Sequence, residues 1–176
     1  MSKQNQNNLN SKMLTQLALL ISLQVILTRF LSIQTPIVRI GFGFLPLAIM
    51  GILYGPTIAF TGGVISDLLG FVMFPTGTYF PGFTLTTGLT ALIFSYFLYN
   101  KDFSIKRVTI ASLIVCLVLN LCLDTFWLSI LLGKGYLVLL PTRIVKSLIM
   151  IPIQVVTISL VWDKFVNKIK VILYTR

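Results

Sequence analysis

The sequence predicts an all-α integral membrane protein, built as a bundle of six transmembrane helices with both termini cytoplasmic. The first observation is composition: 56% of the 176 residues are hydrophobic, 10% are charged, and the mean hydropathy is +0.96. The second is a series of six apolar segments separated by short polar or Pro/Gly-rich loops. The third is the placement of the 14 Lys and Arg residues, most of which fall on one side of that series. Such a composition leaves no room for a separate soluble domain.

The chain divides into a flexible cytoplasmic N-terminus (1–12), a six-helix membrane domain (13–170) and a cytoplasmic tail (171–176). The first apolar run has no A-x-A-like end, which favours a retained helix over a cleaved signal. The predicted helices are 13–33, 45–54, 56–74, 82–99, 108–131 and 142–165.

The length of the first apolar run and the Pro and Gly residues that follow it predict the first two helices. The first run is long enough to span a bilayer with some tilt, and Ala18 and Ser22 form a small-xxx-small step that permits close helix approach. Such a pair also occurs by chance in any apolar helix. Segment 34–44 carries Arg39 among Pro and Gly residues and is predicted to be a loop with a short extended piece. The second helix is short and stops at Gly55-Pro56.

In the third helix, Gly62, Ser66 and Gly70 recur every four residues, a pattern typical of a close-packing ridge. Asp67 lies beside that ridge, past the helix midpoint. A carboxylate at this depth is either bonded to a neighbouring helix or in contact with a ligand. The sequence leaves both alternatives open.

The fourth helix begins near Pro81, which suits a first helical turn. Free backbone N–H groups at that end favour an anion or a ligand carbonyl. Phe80 and Phe83 beside it are candidate ligand contacts, or anchors at the membrane surface. The helix also carries four threonines, Thr84, Thr86, Thr87 and Thr90.

Residues 120–146 carry the strongest polar signal. Asn120, Asp124 and Trp127 fall within roughly 60° of one another on a regular helix whose other residues are mostly apolar. After a loop at 131–141, Arg143 and Lys146 are predicted to open the last helix as an i,i+3 pair. Cations there oppose the helix dipole, so local stability does not explain them, whereas an anion arriving from outside does. The alternative is an internal ion pair between Asp124 and one of the two cations.

An orientation with the N-terminus inside places nine of the 14 cations in the cytoplasm, as the positive-inside rule prefers. The other five lie at or near outer helix ends: Arg29, Arg39, Lys134, Arg143 and Lys146. The outer half therefore gathers carboxylates, an amide, aromatic rings and cations. Carboxylate and amide groups suit a heteroaromatic ring with N–H donors, and cations suit a carboxylate or phosphate tail. We expect a small, aromatic, anionic metabolite taken from outside.

Several function classes are disfavoured. The chain has no His and no Glu, and its Asp residues form no metal motif, which argues against a membrane enzyme. Its excess of positive charge marks cytoplasmic loops and gives no reason to expect a nucleic acid partner. The Gly133-Lys134-Gly135 run is not a P-loop. We expect no cofactor in this chain, and a channel-like subunit remains a further alternative.

A set of motifs resembles the folate-specific S components of energy-coupling factor (ECF) transporters over nearly the whole chain. The motifs are R-I-x-F-x-F-L-P from Arg39, Gly55-Pro56, Asp67, F-P-G-F-T from Phe80, N-x-x-x-D-T-x-W-L from Asn120, G-K-G-Y from Gly133 and L-P-T-R-I-V-K from Leu140. The F-P-G-F-T motif and the motifs of the last two helices are the more specific ones.

The resemblance implies a membrane-embedded subunit that binds folate or a reduced folate at the outer face of a prokaryotic cell membrane. It implies a transmembrane T component and two cytoplasmic ATPases as partners, with ATP and Mg²⁺ held by the ATPases. Ala18 and Ser22 stand where such families dock on the T component with an A-x-x-x-A step. An S component for another vitamin, such as riboflavin or thiamine, is the runner-up. From the residues themselves, the ligand contacts that we expect are Arg29, Arg39, Asp67, Phe80, Phe83, Thr84, Asn120, Asp124, Trp127, Arg143 and Lys146.

Overall fold

The structure is a computed structural model that describes residues 11–34, 39–75 and 77–162. The predicted tail 171–176 and the N-terminus up to residue 10 lie outside the described residues. The elements in chain order are α1 Ser11–Arg29, β1 Ser32–Gln34, β2 Arg39–Gly41, α2 Phe44–Tyr54, α3 Pro56–Met73, α4 Pro81–Leu98, α5 Ile105–Leu132 and α6 Tyr136–Val161.

The described residues contain four helices long and apolar enough to cross a membrane, namely α3, α4, α5 and α6. Two shorter apolar helices, Met13–Arg29 within α1 and Phe44–Tyr54 (α2), accompany them. The outward surfaces of these helices expose many large apolar side chains. Contiguous apolar surface of this kind suits contact with lipid. The all-helical prediction is confirmed, apart from one two-stranded hairpin.

Helix α4 lies at the centre and packs against α2, α3 and α5. Glycines in α2 and α3 allow these helices to approach α4 closely. A Cβ added at Gly51 of α2 would lie 2.8 Å from the Ser95 backbone nitrogen and 3.0 Å from the Ala91 carbonyl oxygen. A Cβ added at Gly63 of α3 would lie 3.1 Å from the Thr87 carbonyl oxygen. Missing side chains therefore allow the helix backbones to pack directly against one another.

The predicted ridge on α3 is confirmed as a packing face, since Gly62, Ser66 and Gly70 are all buried. Gly62 faces Met50 of α2, and Gly70 faces the Arg29 side chain of α1. The ridge thus holds α3 against its two shorter neighbours, and it leaves Asp67 on an adjoining face.

The first helix ends earlier than predicted: α1 stops at Arg29 and not at 33. The following residues pair as an antiparallel hairpin, with Ser32 opposite Gly41. A Cβ at Gly41 would lie 2.6 Å from the Ser32 Cβ, so the glycine permits this pairing. Strand pairing provides the backbone hydrogen bonds that a longer helix would have provided. The apolar pattern of the sequence does not distinguish a longer helix from a hairpin.

The last helix begins earlier than predicted, at Tyr136 in place of 142. Gly133 ends α5 with a left-handed φ of 63°, and the helix continues through Pro141. A proline inside a helix removes one backbone donor and crowds the carbonyl four residues back, which can kink a helix without ending it. Arg143 and Lys146 therefore lie about 10 and 15 Å along α6. The prediction that they open the helix is wrong, so the helix dipole gives no reason to expect an anion beside them.

Helix α5 contains a π-helical segment, Val115–Leu123, between two regular segments. At its end the Asp124 N–H bonds to the Leu119 carbonyl, a spacing of five residues. π-Helical segments are uncommon and occur frequently at functional sites. The regular spacing assumed in the sequence therefore holds between Asp124 and Trp127 but not between Asn120 and these two residues.

The close α2–α4 contact generates the first testable prediction. Gly51→Ala should lower the melting temperature of the purified protein in detergent, because the new methyl group meets backbone atoms that cannot move aside. Overpacking of this kind typically costs about 1–3 kcal/mol. Gly135→Ala is the matched control, since a Cβ there would meet only Val138 at 3.8 Å. Equal melting temperatures for the two variants would contradict the packing described.

Candidate functional site

A cavity of about 720 Å³ lies between the helices and is lined by residues from every one of them. Its lining also includes Ser32 and Gly41 of the β1–β2 hairpin and the segment from Gly77 to Phe80. These segments lie at the end of the bundle where α1 and α3 finish and α4 begins. The volume falls in the range of small-molecule sites.

One polar group of the cavity is centred on Asp67 of α3. Thr84 of α4 donates its hydroxyl hydrogen to Asp67 Oδ2 at 2.7 Å, and Thr84 Oγ1 also lies 3.3 Å from the Tyr79 hydroxyl. Arg29, at the end of α1, interacts electrostatically with the same carboxylate. Three helices and one loop therefore converge on Asp67.

A second polar group is centred on Asp124 of α5. Arg143 and Lys146 of α6 both interact electrostatically with this carboxylate, and Thr86 of α4 is a further polar neighbour of it. Arg143 is only 6% exposed, and its Nη1 donates to the main-chain oxygen of Asn120 at 3.0 Å. The alternative of an internal ion pair with Asp124 is thus supported by the placement of both cations. Asp124 Oδ1 still has no hydrogen-bond partner among the described residues.

Aromatic rings form the wall of the cavity beside the 77–80 segment. Phe80 and Phe83 pack edge to face with centroids 6.0 Å apart. Phe71 and Tyr79 lie 5.0 Å apart on the same wall. Trp127 packs behind Phe80, at 5.6 Å, and is not among the lining residues. The rings available to a ligand are therefore the phenylalanines and Tyr79.

Eight of the predicted site residues line the cavity, whereas Thr84 and Trp127 support lining residues from behind. The side chain of Arg39 lies outside the described residues. The eight are Arg29, Asp67, Phe80, Phe83, Asn120, Asp124, Arg143 and Lys146.

Sequence reasoning missed two buried glutamines, Gln24 of α1 and Gln154 of α6, which are 4% and 2% exposed. Both line the cavity, and the Oε1 atom of each lacks a hydrogen-bond partner among the described residues. The available signal was an amide in the middle of an otherwise apolar helix, because such a group is costly in lipid. Thr86, Thr87 and Thr90 also line the cavity, as the polar face of α4.

Two further predictions concern places away from the cavity. Ala18 and Ser22 lie exposed on α1, where the Ser22 hydroxyl donates to the Ala18 carbonyl at 2.8 Å. In the part of the chain that the structure describes, no three His, Cys, Asp or Glu side chains are grouped closely enough to hold a metal ion.

The chain is similar to known transport proteins. The family model for the ECF-type riboflavin transporter, S component, matches residues 8–170. A folate transporter FolT of Clostridium novyi (strain NT) is 48% identical over 155 residues, covering 88% of this chain and 90% of that protein. A folate transporter FolT of Leuconostoc mesenteroides subsp. mesenteroides is 32% identical over 154 residues, covering 84% of this chain and 82% of that protein.

The fold is also similar to that of a solved relative. A crystal structure of FolT bound with folic acid matches with a TM-score of 0.85 at 34% sequence identity. The match covers 89% of this chain and 95% of the other.

Proposed function

Because this chain belongs to the family of S components of ECF-type transporters, we propose that it is the folate-binding subunit of an ECF vitamin uptake transporter. The observation that carries the proposal is the cavity itself. In its lining, two carboxylates, three cations and an aromatic wall enclose about 720 Å³. The folate named in the relatives and bound in the solved FolT structure matches these groups chemically.

Folate fits the charge of the cavity better than riboflavin does. Its glutamate tail carries two carboxylates, whereas riboflavin has no charged group. In the lining, the cations Arg29, Arg143 and Lys146 outnumber the carboxylates Asp67 and Asp124. An anionic ligand offsets this excess of positive charge in the lining, and a neutral ligand does not. Riboflavin, which the family model names, is therefore the second candidate, and thiamine, a cation, fits less well.

The pterin carries N–H donors that match the carboxylates. We assign Asp67, Asn120 and Asp124 to its hydrogen-bonding edge, with Phe80 and Phe83 against its face. Asp124 Oδ1 supports this assignment, since it is a buried acceptor without a donor among the described residues. Gln154 and Thr90, further along the same cavity, offer additional donors and acceptors to the ring.

The glutamate tail requires cations. We assign Lys146 and Arg29 to it, because a charge-assisted bond to a carboxylate is stronger than a neutral one. Arg143 lies beside Lys146, with one guanidinium nitrogen donating to the main chain of α5. Arg39, in the hairpin strand β2, is a further candidate on the outer side.

The remaining assignments concern the setting of the subunit. We propose six membrane-crossing helices, both termini in the cytoplasm, and residence in a prokaryotic cell membrane. The transport cycle needs a T component and two ATPases, which hold ATP and Mg²⁺, so that this chain binds ligand and catalyses no reaction. Ala18 and Ser22 are proposed to face the T component, since both small residues lie exposed on α1.

The first functional prediction separates binding from transport. The purified chain alone should bind folic acid, and it should not concentrate labelled folic acid inside liposomes. The physical reason is that no nucleotide-binding motif occurs in the sequence. Calorimetry measures the first property and filter uptake the second. Sustained uphill uptake without partners would contradict the division of labour, and absence of folic acid binding would contradict the ligand.

The second prediction tests the pterin contacts. Asp67→Ala, Asn120→Ala and Asp124→Ala should each weaken folic acid binding, since an unsatisfied buried partner costs about 1–3 kcal/mol, or roughly 5- to 150-fold. Ser112→Ala, another buried polar position on α5 but outside the cavity lining, is the control. Calorimetry should be run only on variants that melt like the parent. Parent-like affinity in all three variants would place the pterin elsewhere.

The third prediction tests the tail contacts through a ratio. Lys146→Ala and Arg29→Ala should weaken folic acid by about 1.5–3 kcal/mol. They should hardly affect pteroic acid, which lacks the glutamate. Lys134→Ala, an exposed cation in the loop between α5 and α6, is the matched control. If both ligands weaken in parallel, so that the ratio of their dissociation constants stays constant, these cations support the fold and do not read the tail.

A further inference from the structure

Two side chains of α6 reach across to main-chain oxygens of the π-helical segment of α5. Arg143 Nη1 donates to the Asn120 oxygen at 3.0 Å, and Ser147 Oγ donates to the Cys116 oxygen at 3.3 Å. The donors are four residues apart on α6, and the acceptors are four residues apart on α5 in the opposite direction. Donor and acceptor positions are therefore matched as in an antiparallel helix pair.

The Ser147 bond is unusual within this chain. Hydroxyls inside lipid-compatible helices commonly donate to a carbonyl of their own helix, four residues back. Thr86, Thr90 and Thr157 do so here. Ser147, although 2% exposed and deep in α6, donates to α5 instead. Its hydroxyl therefore holds one helix to the other.

The Arg143 bond falls where the π-helical segment needs a donor. The Asp124 N–H bonds to the Leu119 oxygen, five residues back, and a regular helix then follows over Asp124–Leu132. Where backbone hydrogen bonds change from a spacing of five residues to a spacing of four, one carbonyl receives no backbone N–H. In α5 that carbonyl belongs to Asn120. An uncompensated carbonyl in an apolar bundle is costly. Arg143 supplies the hydrogen bond from α6.

The register matters because it sets where Asp124 points. One residue occupies about 100° of a regular helix. Returning the segment to regular spacing would rotate α5 beyond it by roughly that angle relative to the part before it. Asp124, the first residue after the segment, would then turn away from the cavity that it lines.

We infer that Arg143 and Ser147 are positioning residues that hold the π-helical register of α5 and thereby aim Asp124 into the cavity. The role of Asp124 toward ligand rests on the proposed function, whereas the hold on the register does not. Ser147 is the cleaner probe of the two, because it lies outside the cavity lining and cannot be confused with a ligand contact.

The first arm of the test uses the ligand-free protein. Ser147→Ala should speed amide hydrogen exchange in the peptides that cover Val115–Leu123, by several-fold relative to the parent. Ser112→Ala is matched to it, as a buried serine of α5 whose hydroxyl has no hydrogen-bond partner among the described residues. Exchange that is equal in the two variants would overturn the inference, whether or not folic acid binds.

The second arm is a double-mutant cycle with folic acid as probe. Ser147→Ala should weaken binding by about 2- to 12-fold in the parent, the range for one hydrogen bond, and by less than about twofold in an Asp124→Ala background, because coupled residues are not additive. An equal loss in both backgrounds would overturn the inference, since Ser147 would then act through another group. Arg143→Ala should leave the ratio of folic acid to pteroic acid affinity unchanged. A parent that does not bind folic acid would contradict the proposed function alone, and the exchange arm would still decide the register.

Discussion

Five charged side chains line a cavity inside a bundle whose outer surface is apolar: Arg29, Asp67, Asp124, Arg143 and Lys146. The arrangement of the helices follows from the need to provide these side chains with partners. A buried charge is tolerated only when a partner and further hydrogen bonds compensate for lost water. Asp67 meets Thr84 and Arg29, which brings α1, α3 and α4 together. Asp124 is compensated in the same way by groups from α4 and α6. The two carboxylates therefore tie together the elements that surround the cavity.

The same arrangement makes the cavity suitable for an anionic, hydrogen-bonding ligand. Cations that compensate carboxylates lie on the cavity surface, so under the proposed function a ligand carboxylate would compete for them. Buried amides of Gln24 and Gln154 add polarity without charge. A low dielectric constant strengthens each of these contacts and raises the cost of leaving one unmade. Discrimination among vitamins then depends on how completely a ligand satisfies the lining.

Fold and ligand are separable within this family. The family model carries the name of a riboflavin transporter, while the relatives at 48% and 32% identity carry the name of folate transporters. A shared helical scaffold hosts different ligands, and the side chains of its cavity decide which one is bound. For that reason the charge balance of the lining carries the proposal here, and the fold alone does not.

The apolar helices, the small-residue ridge of α3 and most of the charged and aromatic residues of the cavity could be predicted from the amino-acid sequence. Each of these signals is local: hydrophobic runs, a four-residue repeat of small side chains, and a costly carboxylate in an apolar segment. The hairpin that follows α1 after Arg29 could not be predicted, because strand pairing depends on residues at both ends of a loop. The continuation of α6 through Pro141, which places Arg143 and Lys146 inside the helix and beside Asp124, is likewise visible only in the folded chain.

Trp127 and the two glutamines show that the positions of single side chains in the site also could not be predicted from the sequence. Regular helical spacing put Asn120, Asp124 and Trp127 on one face, but Asn120 lies within the π-helical segment and the other two follow it. Trp127 packs behind Phe80 and does not line the cavity. Gln24 and Gln154 carry no motif, and they join the site only because distant helices bring them to one cavity. Which polar residues face a ligand depends on backbone register and on contacts between helices. The local hydrophobic periodicity of the sequence specifies neither the backbone register nor the contacts between helices, because both depend on residues that are distant along the chain.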